Sequence, residues 1–308
     1  MSGPTETEVV PGPDEEGQEA APERQTTPFL VLQFFIFPMA IVVVCVAVFA
    51  VFGLIASEGK SPRDHLNEVR SGGGLFNHKR WQAAFALAGA IEFQRESARS
   101  DPRFARELTA LFEESARWQD PLARRYLGLA LGRLGDPVAV PALRRAAGDD
   151  LEADIETRLY AILALGRLGD PAALPELLSA VAASDPGLRK AAVHALGSFP
   201  DRPLARQAMR AALEDAVDDV RWNAALGLAR MRDTAALPVL ARMLDRKHVE
   251  EVPSITPEQA DAAIEQAITA AAHLGTQELR PALEHIRDHD PRLRLRSTAG
   301  AALERGPD

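Results

Sequence analysis

The sequence predicts an all-α protein: a right-handed α-solenoid of about seven stacked helix pairs, preceded by one transmembrane helix. Three observations carry this. The heptapeptide Leu-Gly-Arg-Leu-Gly-Asp-Pro occurs verbatim at 131–137 and at 165–171, 34 residues apart, and a period of that size marks stacked supersecondary units. Apolar residues such as Leu127, Ala130, Leu131 and Leu134 recur at helical spacing around the first copy. Finally, the 28 residues from Phe29 to Ala56 carry no charge.

Residues 1–28 hold seven acids (Glu6, Glu8, Asp14, Glu15, Glu16, Glu19, Glu23) and one base, Arg24. This Pro-, Gly- and Glu-rich stretch has too little apolar surface to offset its ordering entropy and reads as a disordered acidic tail. The rest of the chain has 37 acids and 34 bases, net −3, so no overall charge draws it to a phosphate backbone. One cysteine excludes an intramolecular disulfide framework and any multi-cysteine zinc site.

Six of the twelve phenylalanines fall between residues 29 and 52. The run Phe29 to Ala56 is interrupted only by Gln33, Pro38 and Gly53, and about 20 such residues cross a hydrocarbon core as a helix. It is too long, and its flank too acidic, for a cleaved signal peptide. Cys45 follows Val44, so it lacks the small preceding residue of a lipoprotein signal and reads as an apolar member of the span. Lys60, Arg63 and Arg70 follow the span and only Arg24 precedes it nearby. The positive-inside rule then predicts a single-pass plasma (inner) membrane protein with its N-terminus outside and the repeats in the cytoplasm.

Residues 57–76 are read as a short helix and a joint. Ser61-Pro62-Arg63-Asp64 forms a capping box with proline at the first helical position, and Ser71-Gly72-Gly73-Gly74 supplies flexibility.

The solenoid, 77–308, is counted by a repeat arginine. Arg124 and Arg158 lie seven residues before the two heptapeptides, and Arg80, Arg189, Arg221 and Arg294 hold the same place in less perfect copies. Ile264 stands there in a degenerate unit, making seven units, the last one a single helix. Twelve residues after these positions come Asp136, Asp170, Asp201, Asp233 and Thr276, all residue types that cap helix N-termini. Pro141, Pro175, Pro238 and Pro281 mark the first turn of the second helix of each pair, helix B. Asp120-Pro121, Asp185-Pro186 and Asp290-Pro291 open the first helix, helix A. Because Arg124, Arg189 and Arg294 follow these aspartates by four residues, the arginines Arg80, Arg124, Arg158, Arg189, Arg221 and Arg294 read as a structural Asp–Arg ladder that fixes the stack. Gly132, Gly166 and Gly197 let helices approach closely. The period lengthens twice, with an enlarged turn at Arg99-Ser100-Asp101-Pro102 and an inserted loop at Asp245–Pro257.

These units resemble HEAT repeats of the short bacterial bilin-lyase-like kind, whose pattern is similar to Arg-x-x-Ala-x-x-Ala-Leu-Gly-x-Leu-Gly-Asp-Pro-x-Ala-x-Pro-x-Leu. Residues 158–177 follow it at nearly every position, and the resemblance extends over roughly 77–305. It implies a helical solenoid but no single activity, since such families include bilin lyases, deoxyhypusine hydroxylases and plain scaffolds. The hydroxylase branch implies a di-iron site of His-Glu dipeptides. None of His65, His78, His194, His248, His273, His285 and His289 is followed by glutamate, so that ligand set is missing. His285 and His289 share a helix face without a third ligand placed by the repeat register. No phosphate-binding glycine loop or nucleophile motif occurs. No catalytic residue, metal or cofactor is therefore expected.

The expected role is a membrane-anchored scaffold or adaptor for a protein partner. Its candidate contacts are Arg144, Arg145, Arg210 and Arg242 on helices B, and Arg246, Lys247 and His248 in the inserted loop. An enzyme of the lyase or hydroxylase type and a nucleic-acid binder are the lesser alternatives. The latter is disfavoured by the charge balance and by the lack of aromatics among these arginines.

Overall fold

The structure, a computed structural model, describes residues 60–72, 80–148, 154–253 and 255–304. The predicted transmembrane run and acidic tail lie outside these residues. No described helix is long and apolar enough to cross a membrane. Every element described is helical.

The chain enters through α1 (Pro62–Arg70), capped by reciprocal bonds between Ser61 and Asp64. Its Leu66 and Val69 are fully buried, and its Arg63 and Arg70 both hold Glu107 at 2.9 Å. Six A/B pairs follow among the described residues: α2 (Arg80–Phe93) with α4 (Phe104–Glu114), α5 (Pro121–Leu134) with α6 (Val140–Ala147), α7 (Ile155–Leu168) with α8 (Leu174–Ala180), α9 (Pro186–Leu196) with α10 (Pro203–Ala212), α11 (Asp218–Arg230) with α12 (Leu237–Met243), and α14 (Pro257–Leu274) with α15 (Arg280–His289). A lone A helix, α16 (Leu293–Glu304), ends the stack. Two short helices are additional, α3 (Arg95–Ser100) and α13 (Arg246–Glu250).

Successive A helices lie side by side, and small residues set their spacing. A Cβ on Gly132 would stand 2.9 Å from the Ala164 Cα, and one on Gly166 would stand 2.6 Å from the Ala195 Cβ. Backbone meets backbone there, so no side chain fits. Between the layers, one core of Leu, Ala, Val and Ile runs the length of the stack. Three A helices, α5, α7 and α14, end in a left-handed glycine, Gly135, Gly169 or Gly275, the conformation that best closes a helix C-terminus.

The A-to-B turn is more compact than the sequence suggests. A 3-10 turn at Pro137–Ala139, Pro171–Ala173, Thr234–Ala236 or Gln277–Leu279 precedes helix B, so each helix B starts one residue before its proline. Asp136, Asp170 and Asp233 accept from the backbone N–H two residues on, at 2.9, 2.8 and 3.1 Å. Asp201 and Thr276 do not cap. Arg202 separates Asp201 from Pro203 and itself occupies the N-cap position of α10, while the Thr276 hydroxyl is buried without a hydrogen-bond partner among the described residues. Asp120 and Asp185 open helices A as expected from their sequence, whereas α16 starts only at Leu293, and Asp290 accepts from the Arg292 N–H at 2.8 Å while pairing with Arg246.

The enlarged turn near Arg99 is the helix α3. Arg99 donates from Nε to the Leu134 carbonyl at 2.7 Å and from Nη2 to the Gly135 carbonyl at 2.9 Å, closing the end of α5. The Asp245–Pro257 insertion is not a free loop either. Its helix α13 buries Val249 completely, and Asp245 caps it.

Candidate functional site

Most repeat arginines reach back toward the turn that precedes their own helix A. Arg124 donates to the Phe112 carbonyl at 2.7 Å and lies 4.5 Å over that ring. Arg189 donates to the Ala183 and Ser184 carbonyls at 3.1 and 2.9 Å and chelates Asp215. Arg221 donates to the Asp215 carbonyl at 2.5 Å and pairs with Asp218. Arg80 sits 4.2 Å over Trp118, and Arg294 pairs with Glu265 of the neighbouring A helix. Arg158 is half-buried. The partners are thus carbonyls that precede each helix A and the carboxylates of Asp215, Asp218 and Glu265, rather than the aspartate four residues earlier. The reason is local: Asp120 and Asp185 already accept from the Ala123 and Leu188 N–H groups.

The helix B arginines do not form one cationic strip. Arg144 chelates Glu176 at 2.9 and 2.8 Å, Arg145 pairs with Glu113, and Arg210 donates to Asp233 at 2.8 Å. Burial raises the Asp233 carboxyl, but Arg210 and the Ala235 N–H outweigh this and hold it below the usual range. Arg242 is exposed and makes no ion pair among the described residues. Arg246 joins three carboxylates, Asp290 at 3.0 Å, Asp261 at 2.8 Å and Glu250 at 2.9 Å. Lys247 is exposed and His248 half-buried. A cavity of about 580 Å³ beside α13 is lined by Lys247, His285 and His289 among others. The two imidazoles stack at 4.8 Å, and the His289 Nδ1 lies 3.3 Å from the His285 carbonyl oxygen. Among the described residues no three His, Cys, Asp or Glu side chains converge as metal ligands.

The surface that sequence reasoning missed is the outer face of helices A. The residue five after each of the first six repeat positions faces outward or lies only partly covered, Phe85, Leu129, Leu163, His194, Leu226 and Thr269, whereas Ala299 after the seventh is buried. Two after the repeat position stand Tyr126, Tyr160, Asn223 and Gln266. Phe85 is 56% exposed and meets Tyr126 edge-on at 5.2 Å. Reading each A helix down these two register positions would have found the face, because a core-facing row would be uniformly apolar and this one is not.

Two hollows mark the face. One of about 230 Å³ has Leu129, Tyr160 and Leu163 as an apolar floor, flanked by Arg167 and His194. A wider one of about 760 Å³ includes His194, Trp222, Leu226, Val252, Ile255 and Gln266. His194 borders both. Its imidazole titrates below the ordinary histidine range, first through burial, then through the Arg230 charge, against a hydrogen bond with Asn223. Such a groove can hold the side chains of a bound polypeptide without chemistry of its own.

Residues 108–185 and 150–221 match the family model of HEAT repeats, and residues 220–246 match that of the PBS lyase HEAT-like repeat. The chain carries HEAT repeats over that region. No curated protein matches the sequence. Solved structures to which the chain is similar include YibA of Escherichia coli, 17% identical over 78% of this chain and 92% of that one, with a TM-score of 0.48. The complex of CpcE and CpcF of phycocyanin lyase from Nostoc is 19% identical over 80% and 96%, with a TM-score of 0.48. Human deoxyhypusine hydroxylase is 21% identical over 78% and 96%, with a TM-score of 0.33.

Proposed function

We propose that this protein is a scaffold or adaptor anchored in the inner membrane by residues 29–56, with its repeats in the cytoplasm, and that it binds a protein partner on the outer face of helices A. The observation that carries the docking face is the pair of hollows sharing His194, set in a row of exposed or half-covered side chains on successive repeats. A repeat stack presents such a surface continuously, and its extent suits a polypeptide better than a small molecule. Arg144, Arg145 and Arg210 on helices B, and Arg246 on α13, support this choice by contrast, because each already pairs with a carboxylate of the stack. The same pairing weakens a nucleic-acid role, which needs cations free for phosphate. The uncharged 28-residue run supports the anchor.

Photo-crosslinking in intact membranes tests the reading. A benzophenone amino acid at Phe85, Leu163 or Leu226 should capture a discrete partner, and one at Arg144 or Arg242 should not. Capture from the helix B positions alone would move the docking surface to the opposite layer.

A further inference from the structure

Three guanidinium groups, those of Arg95, Arg133 and Arg167, gather around Glu92 near the end of α2, and a fourth, that of Arg230, lies at the end of α11. Glu92 is the only described carboxylate paired with any of them, and it is shared by Arg95 at 3.5 Å, Arg133 at 3.2 Å and Arg167 at 3.6 Å. Arg230 has no counter-charge and no hydrogen-bond acceptor among the described residues. Partial desolvation alone acts on its titration, and it opposes the charge. Arg230 is nonetheless exposed, so its unpaired guanidinium is open to an incoming carboxylate.

Its position is also fixed by the sequence. The Arg230 Nη2 lies 2.7 Å from where a Cβ on Gly197 would stand. Gly197 thus provides the seat that lays Arg230 across the end of α9, beside His194, whose titration feels its charge. Ala195 and Ser198, on either side of this seat, line the hollow floored by Leu129, Tyr160 and Leu163. Of the four arginines, Arg167 lines this hollow itself, and Arg230 reaches its neighbourhood over Gly197, between the lining residues Ala195 and Ser198.

Resting on the docking face proposed above, we infer that the partner presents a linear acidic segment: an apolar side chain enters the hollow over Leu163, and neighbouring Asp or Glu carboxylates meet Arg230 and Arg167. Charge complementarity selects an acidic segment over a basic or neutral one. Guanidinium–carboxylate pairing at this rim sets its register.

The test uses the full chain in lipid nanodiscs as bait for a random-peptide display library, with selected peptides then titrated by fluorescence anisotropy. Enrichment of Asp or Glu next to Leu, Phe or Trp is expected. Arg230→Ala should weaken these peptides about tenfold or more. Gly197→Ala, which displaces the guanidinium without touching the peptide, should weaken them in the same direction with an unchanged helical melting curve. Enrichment of basic or neutral peptides, no enrichment at all, or acidic peptides that bind Arg230→Ala equally well would overturn the inference. The docking face is judged separately: peptides that lose binding with Leu163→Ala but not with Arg230→Ala leave that face standing, and peptides indifferent to both remove it as well.

Discussion

Asp154 caps α7 and is one of the most strongly held carboxyls in the stack. Arg125 donates to both of its oxygens at 2.8 and 2.6 Å, and Thr157 adds its N–H and its hydroxyl at 2.9 and 2.6 Å. Arg125 foremost, then Thr157 against the opposing effect of burial, brings its pKa from 3.8 down to about 2. A carboxyl lowered on folding stabilises the native state above its unfolded pKa and loses that contribution as pH falls through its folded pKa. The window is therefore about pH 4 to pH 2, and the shift is worth about 2 kcal/mol. Asp154→Asn should lower the melting temperature at pH 7, and the gap to wild type should close as pH falls through that window. A gap that stayed constant from pH 7 to pH 2 would show that the ion pair is not its source. The capping role of Asp120, Asp136, Asp170, Asp185 and Asp233 was legible in the sequence, since Asp before a helix start has a local cause. Arg125 was not, because its partner lies in the next repeat and no spacing rule reaches across one. For the same reason the Asp–Arg ladder was drawn with neighbours in sequence, where most of the observed acceptors are the carbonyls of preceding turns and carboxylates of adjoining helices.

Helices pack in this stack through contacts of two kinds, and glycine substitutions separate them. At Gly166 an added methyl would meet the Ala195 Cβ and Cα at 2.6 and 2.7 Å, so α7 and α9 would have to move apart. Overpacking of that sort costs about 1–3 kcal/mol. At Gly197 the nearest group is the mobile head of Arg230 at 2.7 Å, which can swing away. Gly166→Ala should therefore lower the denaturant midpoint markedly while Gly197→Ala leaves it nearly unchanged. Equal midpoints for the two variants would contradict the close A–A approach. The insertion at 245–257 teaches a related lesson. Its excess length over the repeat was readable, but its attachment was not, because Arg246 joins carboxylates on α13, on α14 and just beyond α15. Asp290 is buried beneath it, and removing one member of such a cluster costs about 3 kcal/mol or more. Arg246→Ala, or deletion of 246–250, should lower the melting temperature by several degrees. Melting unchanged by the deletion would make the segment the dispensable loop that the sequence suggests.

At the scale of the whole molecule, a verbatim repeat made the solenoid legible, because each unit states the same helix, turn and helix. The docking face was less so. Its residues vary from Phe85 to Thr269 at one register position, and only the stacked register shows that they share a surface. The anchor rests on sequence alone, and it makes the last prediction. An uncharged run of 28 residues buries enough apolar surface in a bilayer to outweigh any peripheral attachment. The intact protein should therefore stay with membranes through alkaline carbonate, which strips peripheral proteins by breaking ionic contacts. Residues 60–308 form a compact unit with its own continuous core. A chain deleted for 1–59 should accordingly remain in the soluble fraction and give a strongly helical circular dichroism spectrum. Carbonate release of the intact chain, beside a deletion that is folded and soluble, would leave the repeat stack as described and take away the membrane span.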